Sequence, residues 1–170
     1  VHTSAALRRY LDDNAMPASA LPGGVDAALE RIQDVWIEWE GRRVHLDLHR
    51  TQQPRVVVVF QPGVGSYGRF YCALGARLAA AGCHFLAIDR PGHGYSDGAR
   101  GDCSVDEALR LTAAVITEAR ARFGLPVVLL GSSMGGLLTA FAVMAIVRPD
   151  LAIAHNFLIP GRLISMRARA

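Results

Sequence analysis

The chain has 170 residues, of which 51% are hydrophobic and 19% are charged. These proportions are typical of a globular protein with one core and exclude a disordered or fibrous chain. The net charge of +3 comes from arginines scattered along the chain, with a small cluster at Arg162, Arg167 and Arg169. A nucleic-acid-binding face would concentrate such charge beside aromatic residues or a recognition motif. We therefore expect no nucleic-acid partner.

The cysteines and the hydropathy pattern indicate the compartment. Cys72, Cys83 and Cys103 are odd in number and sit inside regular segments, which favours free thiols in a reducing compartment over a disulfide framework. No window approaches the roughly 18 uninterrupted apolar residues of a membrane-spanning helix. Residues 1–11 lack the apolar stretch of a secretory signal. We expect a cytoplasmic protein without a transmembrane segment.

The first half of the chain predicts an antiparallel hairpin followed by a buried strand. Proline and glycine punctuate residues 1–30, which we expect to be a lead segment before the domain of residues 31–170. Two alternating segments, 35–40 and 44–48, are separated by 41–43 and predict the hairpin. The β-branched run of residues 55–60 is typical of a central strand that is buried on both faces of a parallel sheet.

Helical and strand patterns alternate in the rest of the chain. Apolar residues at Phe70, Leu74 and Leu78 predict a helix within residues 67–81, with Gly82 as its C-cap. The later predicted elements are a strand over 84–89, a helix over 105–123 ended by Gly124, a strand from Val127, a helix over about 134–147 and a strand over 151–159. This order predicts an α/β fold with a mainly parallel sheet and helices on both faces.

A candidate nucleophile lies between the Val127 strand and the helix after it. The run Gly131-Ser132-Ser133-Met134-Gly135-Gly136 has the pattern of a nucleophile elbow, a sharp strand-to-helix turn that exposes a serine hydroxyl. Small residues at 131 and 135 let such a turn pack tightly against its neighbours. Ser133 is therefore the first candidate for covalent chemistry, for which a serine also needs a base and an orienting acid.

Two further loops follow predicted strands and complete a family pattern. One runs from Gln61 to Phe70 and contains Gly68-Arg69-Phe70, and the other is Asp89-Arg90-Pro91-Gly92-His93-Gly94-Tyr95-Ser96. With the elbow, these motifs occur in the order and at the distances found in the α/β-hydrolase superfamily. Residues 35–160 resemble its monoacylglycerol lipase and lysophospholipase branch most closely.

The resemblance implies a serine hydrolase that acts on small acyl esters through an acyl-serine intermediate. Ser133 would attack the ester carbonyl, and the backbone N–H groups of Met134 and Gly63 would hold the oxyanion. The family usually has a His-Gly pair where this chain has Gln61-Pro62, and Pro62 has no N–H to donate. No metal and no organic cofactor are implied.

The acid and the base of the triad have no counterpart in this chain. In the family they follow the nucleophile in the order Ser, Asp or Glu, His, whereas residues 136–170 have room for one helix and one strand. The pattern predicts a fold truncated after about the sixth strand, without the family's cap. His155 is the one histidine after Ser133, and its apolar run favours a buried structural role over catalysis. His93, Asp89 and Asp97 precede the elbow, and none has a family precedent in the triad.

Other interpretations stay open. Gly63-Val64-Gly65-Ser66-Tyr67-Gly68 satisfies the GxGxxG pattern of dinucleotide-binding proteins, and Asp89 stands near the place of a ribose-binding acid. The intervening Gln61-Pro62 and the unexplained elbow count against it. A non-catalytic half-domain is another alternative, which would self-associate through surfaces left uncovered by truncation. Cys72 or Cys83 as the nucleophile is disfavoured because both fit core positions.

Overall fold

The computed structural model describes residues 5–13, 21 and 23–156. The helices are α1 (Ala5–Asp13), α2 (Gly24–Glu30), α3 (Cys72–Ala80), α4 (Val105–Phe123) and α5 (Met134–Ala145), with a 3-10 turn at Gly68–Tyr71. The strands are β1 (Ile32–Trp39), β2 (Arg42–His49), β3 (Val56–Gln61), β4 (Cys83–Ile88), β5 (Val127–Ser132) and β6 (Leu151–His155). The end of the predicted last strand, 157–159, and the arginine cluster of 162–169 lie outside the described residues.

The strands form one sheet in the order β1-β2-β4-β3-β5-β6. The four strands from β4 to β6 run parallel, while the hairpin β1–β2 and its junction with β4 are antiparallel. The strand β3 lies between β4 and β5, as its unbroken run of apolar residues predicted. The predicted α/β fold with a mainly parallel sheet is confirmed.

Side chains of β3 alternate between two cores. Val57 and Val59 belong to the core under α4 and α5, whereas Val58 and Phe60 belong to the core under α3. Successive residues of a strand point to opposite faces, so a run of five apolar residues can fill both cores at once. The prediction of helices on both faces of the sheet is confirmed.

Local signals set the bounds of several elements. The helix α4 begins at a capping box between Ser104 and Glu107 and ends at Gly124, whose φ of 61° is left-handed. The hairpin turn consists of Glu40 and Gly41, with φ of 47° and 74°. The sequence predicted a turn over 41–43 instead; a two-residue turn of this handedness matches the twist of the flanking strands.

The helices α1 and α2 belong to a separate apolar cluster on the outer side of α3. Its buried members are Leu7, Leu11, Leu21, Ala28, Leu29, Ile32 and Cys72. Within the described residues, no helix is long and apolar enough to cross a membrane.

Candidate functional site

Ser133 occupies the junction between β5 and α5 with an unusual backbone conformation. Its φ is 56° and its ψ is −122°, a backbone conformation that a residue other than glycine adopts only under strain. The Ser133 N–H donates to the carbonyl of His155 at 3.0 Å, and the Ser133 carbonyl accepts from Gly136 at 2.9 Å. These bonds hold the strained turn in place, and the Ser133 side chain is exposed.

Two glycines let the turn pack against the end of β3. A Cβ at Gly135 would overlap the carbonyl oxygens of Gln61 and Pro62, and a Cβ at Gly131 would overlap the Gly135 carbonyl and the Thr139 hydroxyl. No other residue fits either position without a shift of backbone. The close packing brings the start of α5 against the loop that follows β3.

Gly63 in that loop lies beside the serine. The Cβ position of Gly63 is 3.4 Å from the Cβ of Ser133 and 3.4 Å from the hydroxyl of Tyr71. The Gly63 N–H donates to this Tyr71 hydroxyl at 3.2 Å. Met134 is the first residue of α5, where a backbone N–H has no acceptor within the helix. Two backbone donors therefore flank Ser133, at Gly63 and at Met134.

Arg90 fixes the orientation of the Gly63 loop. Its guanidinium donates to the carbonyl of Pro62 at 2.8 Å and to the carbonyl of Gly63 at 2.9 Å. Arg90 is only 2% exposed, and burial lowers the pKa of its guanidinium. Because the N–H of a trans peptide points away from the carbonyl before it, the bond to Pro62 fixes the direction of the Gly63 N–H. No role for Arg90 follows from the sequence alone.

Gln61, in the place of the family's histidine, does not face this site. Its side-chain amide donates to the hydroxyl of Thr112 in α4, and Gln61 is fully buried. The Thr112 hydroxyl in turn donates to the carbonyl of Ala108 at 2.6 Å. Gln61 therefore connects the end of β3 to α4.

Asp89 connects the loops that follow β3 and β4 to the strand β2. Its carboxylate accepts from the N–H of Gly68 at 2.7 Å and from the N–H of Tyr95 at 3.0 Å, and it lies 2.9 Å from Nδ1 of His45. Asp89 is fully buried. Its carboxylate is thus occupied within the chain, which removes the ribose-binding role that the dinucleotide alternative assigned to it.

A charged cluster continues from Asp89 to the surface. Nε2 of His45 lies 2.8 Å from Asp34 and 3.6 Å from Asp47, and Arg69 bonds Asp34 and approaches Asp47 at 3.4 Å. Asp34, His45 and Asp47 could hold a metal ion by their spacing. The Arg69 guanidinium, however, already supplies a cation to both carboxylates.

The protonation states in this cluster follow from burial. Burial and the charge of Asp89 raise the pKa of Asp47 to about 7, against the opposite effect of Arg69 and His45. Burial alone would lower the pKa of His45, but Asp89, Asp47 and Asp34 raise it above its ordinary value. Neither oxygen of Asp47 has a hydrogen-bond partner.

The burial of β2 differs from what its sequence pattern indicates. The alternating pattern of β2 is typical of a strand with one solvated face, yet both faces of β2 are buried.

The remaining candidates for a base form no hydrogen bond with the Ser133 hydroxyl among the described residues. His155 is exposed on β6, so the expectation of a buried role was wrong; β6 lies at the edge of the described sheet. His93 lies 2.9 Å through Nδ1 from the carbonyl of Pro91. Among the described residues, no histidine or carboxylate side chain is hydrogen-bonded to the Ser133 hydroxyl.

Cys72 and Cys103 are poorly suited to nucleophilic attack. All three are free, and Cys72 is buried. Burial raises the pKa of Cys72 to about 11 and also raises the pKa of Cys103. Because the thiolate is the reactive form, the raised pKa values of Cys72 and Cys103 disfavour nucleophilic attack by these two thiols near neutral pH.

The strand order, the crossovers and the loops at the carboxyl ends of β3, β4 and β5 define an α/β-hydrolase fold. The profile of the serine aminopeptidase S33 family matches residues 52–154. The chain therefore belongs to this family of α/β-hydrolases.

Solved structures of the same fold cover the chain more widely. The α/β-hydrolase GrgF from Penicillium sp. sh18 superposes with a TM-score of 0.68 at 21% identity, over 81% of this chain and 53% of GrgF. A soluble variant of monoglyceride lipase from Saccharomyces cerevisiae, in complex with a substrate analogue, gives 0.61 at 18% identity, over 68% of this chain and 41% of the lipase.

The thioesterase domain from the curacin biosynthetic pathway superposes with a TM-score of 0.58 at 25% identity, over 66% of this chain and 39% of that domain. The chain thus spans about half the length of GrgF and a smaller share of the lipase and of the thioesterase domain. No curated protein sequence matches the chain.

Proposed function

We propose that this chain carries the nucleophile and the oxyanion site of a serine hydrolase for carboxylic esters. Ser133 is the nucleophile, in a nucleophile elbow, and the backbone N–H groups of Gly63 and Met134 hold the oxyanion. The observation that supports this most strongly is the strained, exposed Ser133 turn, whose Cβ lies 3.4 Å from the Cβ position of Gly63. Strain of this kind is kept where a side chain must be presented for chemistry.

The reaction follows from these positions. The Ser133 hydroxyl attacks the ester carbonyl, its proton passes to a base, and the carbonyl oxygen takes up the negative charge. Two N–H donors at set positions stabilise that charge, and the Gly63 N–H exchanges its bond to the Tyr71 hydroxyl for one to the oxyanion. Collapse of the tetrahedral intermediate expels the alcohol and leaves an acyl-serine, which water then hydrolyses. The substrates we propose are monoacylglycerols, lysophospholipids or similar small acyl esters.

Full turnover needs a base that the described residues do not bring to Ser133. Without a base, a serine hydrolase accelerates the reaction only about 10³- to 10⁴-fold over the rate in water. We expect the 170-residue chain to show little esterase turnover, and a chain of the usual family length to be active.

The first test compares wild type with Ser133→Ala in two assays, release of p-nitrophenol from a short acyl ester and labelling by a fluorophosphonate probe. Label that maps to Ser133 and disappears in the variant supports the proposal. Fast turnover that Ser133→Ala abolishes would mean that the chain contains its own base. Equal behaviour of both proteins in both assays would contradict the proposal.

A non-catalytic half-domain is the second candidate function. It is favoured by Leu151 and Ile153 of β6, which are 54% and 44% exposed, because exposed apolar residues on an edge strand promote association. Self-association through this edge would appear in sedimentation velocity as a dimer that Leu151→Ser with Ile153→Ser reduces. A monomer at all concentrations would exclude it.

The remaining assignments concern organisation and location. We propose that residues 31–170 form a partial hydrolase domain and that residues 1–30 are a lead segment to it. Three free cysteines support a cytoplasmic location.

A further inference from the structure

The hydroxyl of Tyr71 lies beside the Gly63 N–H that the proposed reaction assigns to the oxyanion. Tyr71 belongs to the 3-10 turn before α3, and no motif of the sequence drew attention to it. Its hydroxyl and the Cβ of Ser133 both lie 3.4 Å from the Cβ position of Gly63. The phenol therefore shares the immediate surroundings of the nucleophile.

The hydrogen bonds around Tyr71 determine where its proton points. The Gly63 N–H donates to the Tyr71 oxygen at 3.2 Å. The Ser66 hydroxyl donates to the Gly63 carbonyl at 3.1 Å and lies 3.3 Å from the Tyr71 oxygen. Since Ser66 uses its proton on Gly63, the Tyr71 hydroxyl is the donor to Ser66. The Tyr71 oxygen accepts from the loop, and its own proton remains mobile.

The bond from Tyr71 to Ser66 is easily given up. Hydroxyl pairs usually meet at about 2.7–2.8 Å, so a separation of 3.3 Å marks a weak bond. The phenol ring itself is held firmly, because it packs on Phe60 with ring centroids 4.5 Å apart. Rotation about the C–O bond alone redirects the proton, and no movement of the ring is required.

We propose that Tyr71 is a catalytic residue that donates a third hydrogen bond to the oxyanion, beside the N–H groups of Gly63 and Met134. In the free chain the phenol oxygen accepts from the Gly63 N–H; when the oxyanion forms, this N–H turns to it and the phenol donates its own proton to the same atom. Arg90 supports this arrangement through the carbonyl of Gly63, at 2.9 Å. This inference rests on the proposed oxyanion site, but it does not need an active base.

Binding of a carboxylate tests the proposal without catalysis. Hexanoate, as a carboxylate that can occupy the oxyanion position, is titrated into the ¹⁵N-labelled chain while the amide signals of Gly63 and Met134 are followed by NMR. Wild type should show saturable shifts of both signals. Tyr71→Phe, which keeps the ring on Phe60, should weaken binding about 10-fold or more, as expected for loss of a hydrogen bond to a charged group.

Two further variants separate donation from mere packing. Ser66→Ala removes the competing acceptor and should bind hexanoate at least as tightly as wild type. Tyr10→Phe makes the same chemical change on α1 and should leave the affinity unchanged. A structural role for the Tyr71 hydroxyl would lower thermal stability without a selective effect on hexanoate affinity.

Several outcomes would overturn the proposal. Equal or tighter binding by Tyr71→Phe would mean that the phenol only occupies the Gly63 N–H, and absence of saturable binding by wild type would mean that no oxyanion site is formed. Failure of Ser133 to react with a fluorophosphonate is a separate result. It would remove the proposed nucleophile and leave a Tyr71-dependent carboxylate site intact.

Discussion

The two sides of Ser133 differ in how completely the chain builds them. On the oxyanion side, which comprises Gly63, Tyr71, Arg90 and the start of α5, the Gly63 N–H and the carbonyls of Pro62 and Gly63 each have a partner within the chain. On the β6 side, the Ser133 turn meets the His155 carbonyl, and the apolar side chains of β6 are half exposed.

This difference separates two requirements of serine catalysis. Stabilisation of the oxyanion depends on rigid donors, which loops at the ends of β3, β4 and β5 can supply from adjacent strands. Proton transfer depends on a base and an acid that the family supplies from beyond these strands. The chain can therefore preserve the first property independently of the second.

The largest effect is expected where the start of α5 packs against the loop after β3 with no space for a Cβ atom. Gly135→Ala places a Cβ against the carbonyl oxygens of Gln61 and Pro62, so we expect a loss of about 3 kcal/mol in the free energy of unfolding. Labelling of Ser133 should be lost as well. Chemical denaturation measures the first effect and mass spectrometry the second.

Gly101→Ala is the matched control for this change. Gly101 has a positive φ of 76°, which Gly135 does not, but a Cβ there would meet open space, so its effect should stay near 1 kcal/mol. If both variants were equally stable, close packing of the turn would not be what requires a glycine at 135.

A smaller loss is expected when Arg90 is removed. Arg90→Met preserves most of the buried volume but leaves the carbonyl of Pro62 without its Arg90 donor and the carbonyl of Gly63 with the Ser66 hydroxyl alone, which costs about 2–3 kcal/mol. We also expect the amide signal of Gly63 to shift in the NMR spectrum. Arg77→Met, on the exposed side of α3, should do neither. An unchanged Gly63 signal in Arg90→Met would show that Arg90 does not orient the loop.

The smallest effect concerns the charged cluster behind the loops. The pKa of Asp47 rises from its ordinary value of 3.8 to about 7 in the folded chain, so the folded state binds more protons across this interval and stability falls as pH rises through it. His45, whose pKa is also raised, loses its contribution as pH rises through its folded value. Both groups therefore stabilise the folded state at pH values below their folded pKa values, and this stabilisation is lost as pH rises.

Asp47→Asn should flatten this dependence. Between about pH 4 and about pH 8, we expect the free energy of unfolding to fall by about 1–3 kcal/mol less in the variant than in wild type. Asp13→Asn, on the exposed end of α1, provides the control. Parallel stability curves for wild type and Asp47→Asn would show that Asp47 is ionised at all these pH values.

Much of this architecture could be predicted because its signals are local. The bounds of α4 follow from Ser104, Glu107 and Gly124, and the place of β3 follows from its unbroken apolar run. The parallel order then brings the loops after β3 and β5 together, so the juxtaposition of Gly63 and Ser133 was accessible from sequence.

The rest depends on contacts between residues distant in sequence. Arg90 reaches back 27 residues to Gly63, and His45 meets Asp89 across 44 residues. Burial of the polar face of β2 could not be inferred, because an alternating strand usually turns that face to solvent. His155 was misplaced for the converse reason: an apolar run predicts burial, but β6 lies at the edge of the described sheet.

Rescue of Ser133 by an external base tests the central claim most directly. Fluorophosphonate labelling is followed by mass spectrometry with increasing imidazole, in wild type, Ser133→Ala and the neighbouring variant Ser132→Ala. An intact oxyanion site that lacks a base predicts labelling at Ser133 that rises with imidazole, is preserved in Ser132→Ala and is absent in Ser133→Ala. Labelling that does not change with imidazole concentration, or that maps to another residue, would contradict the account.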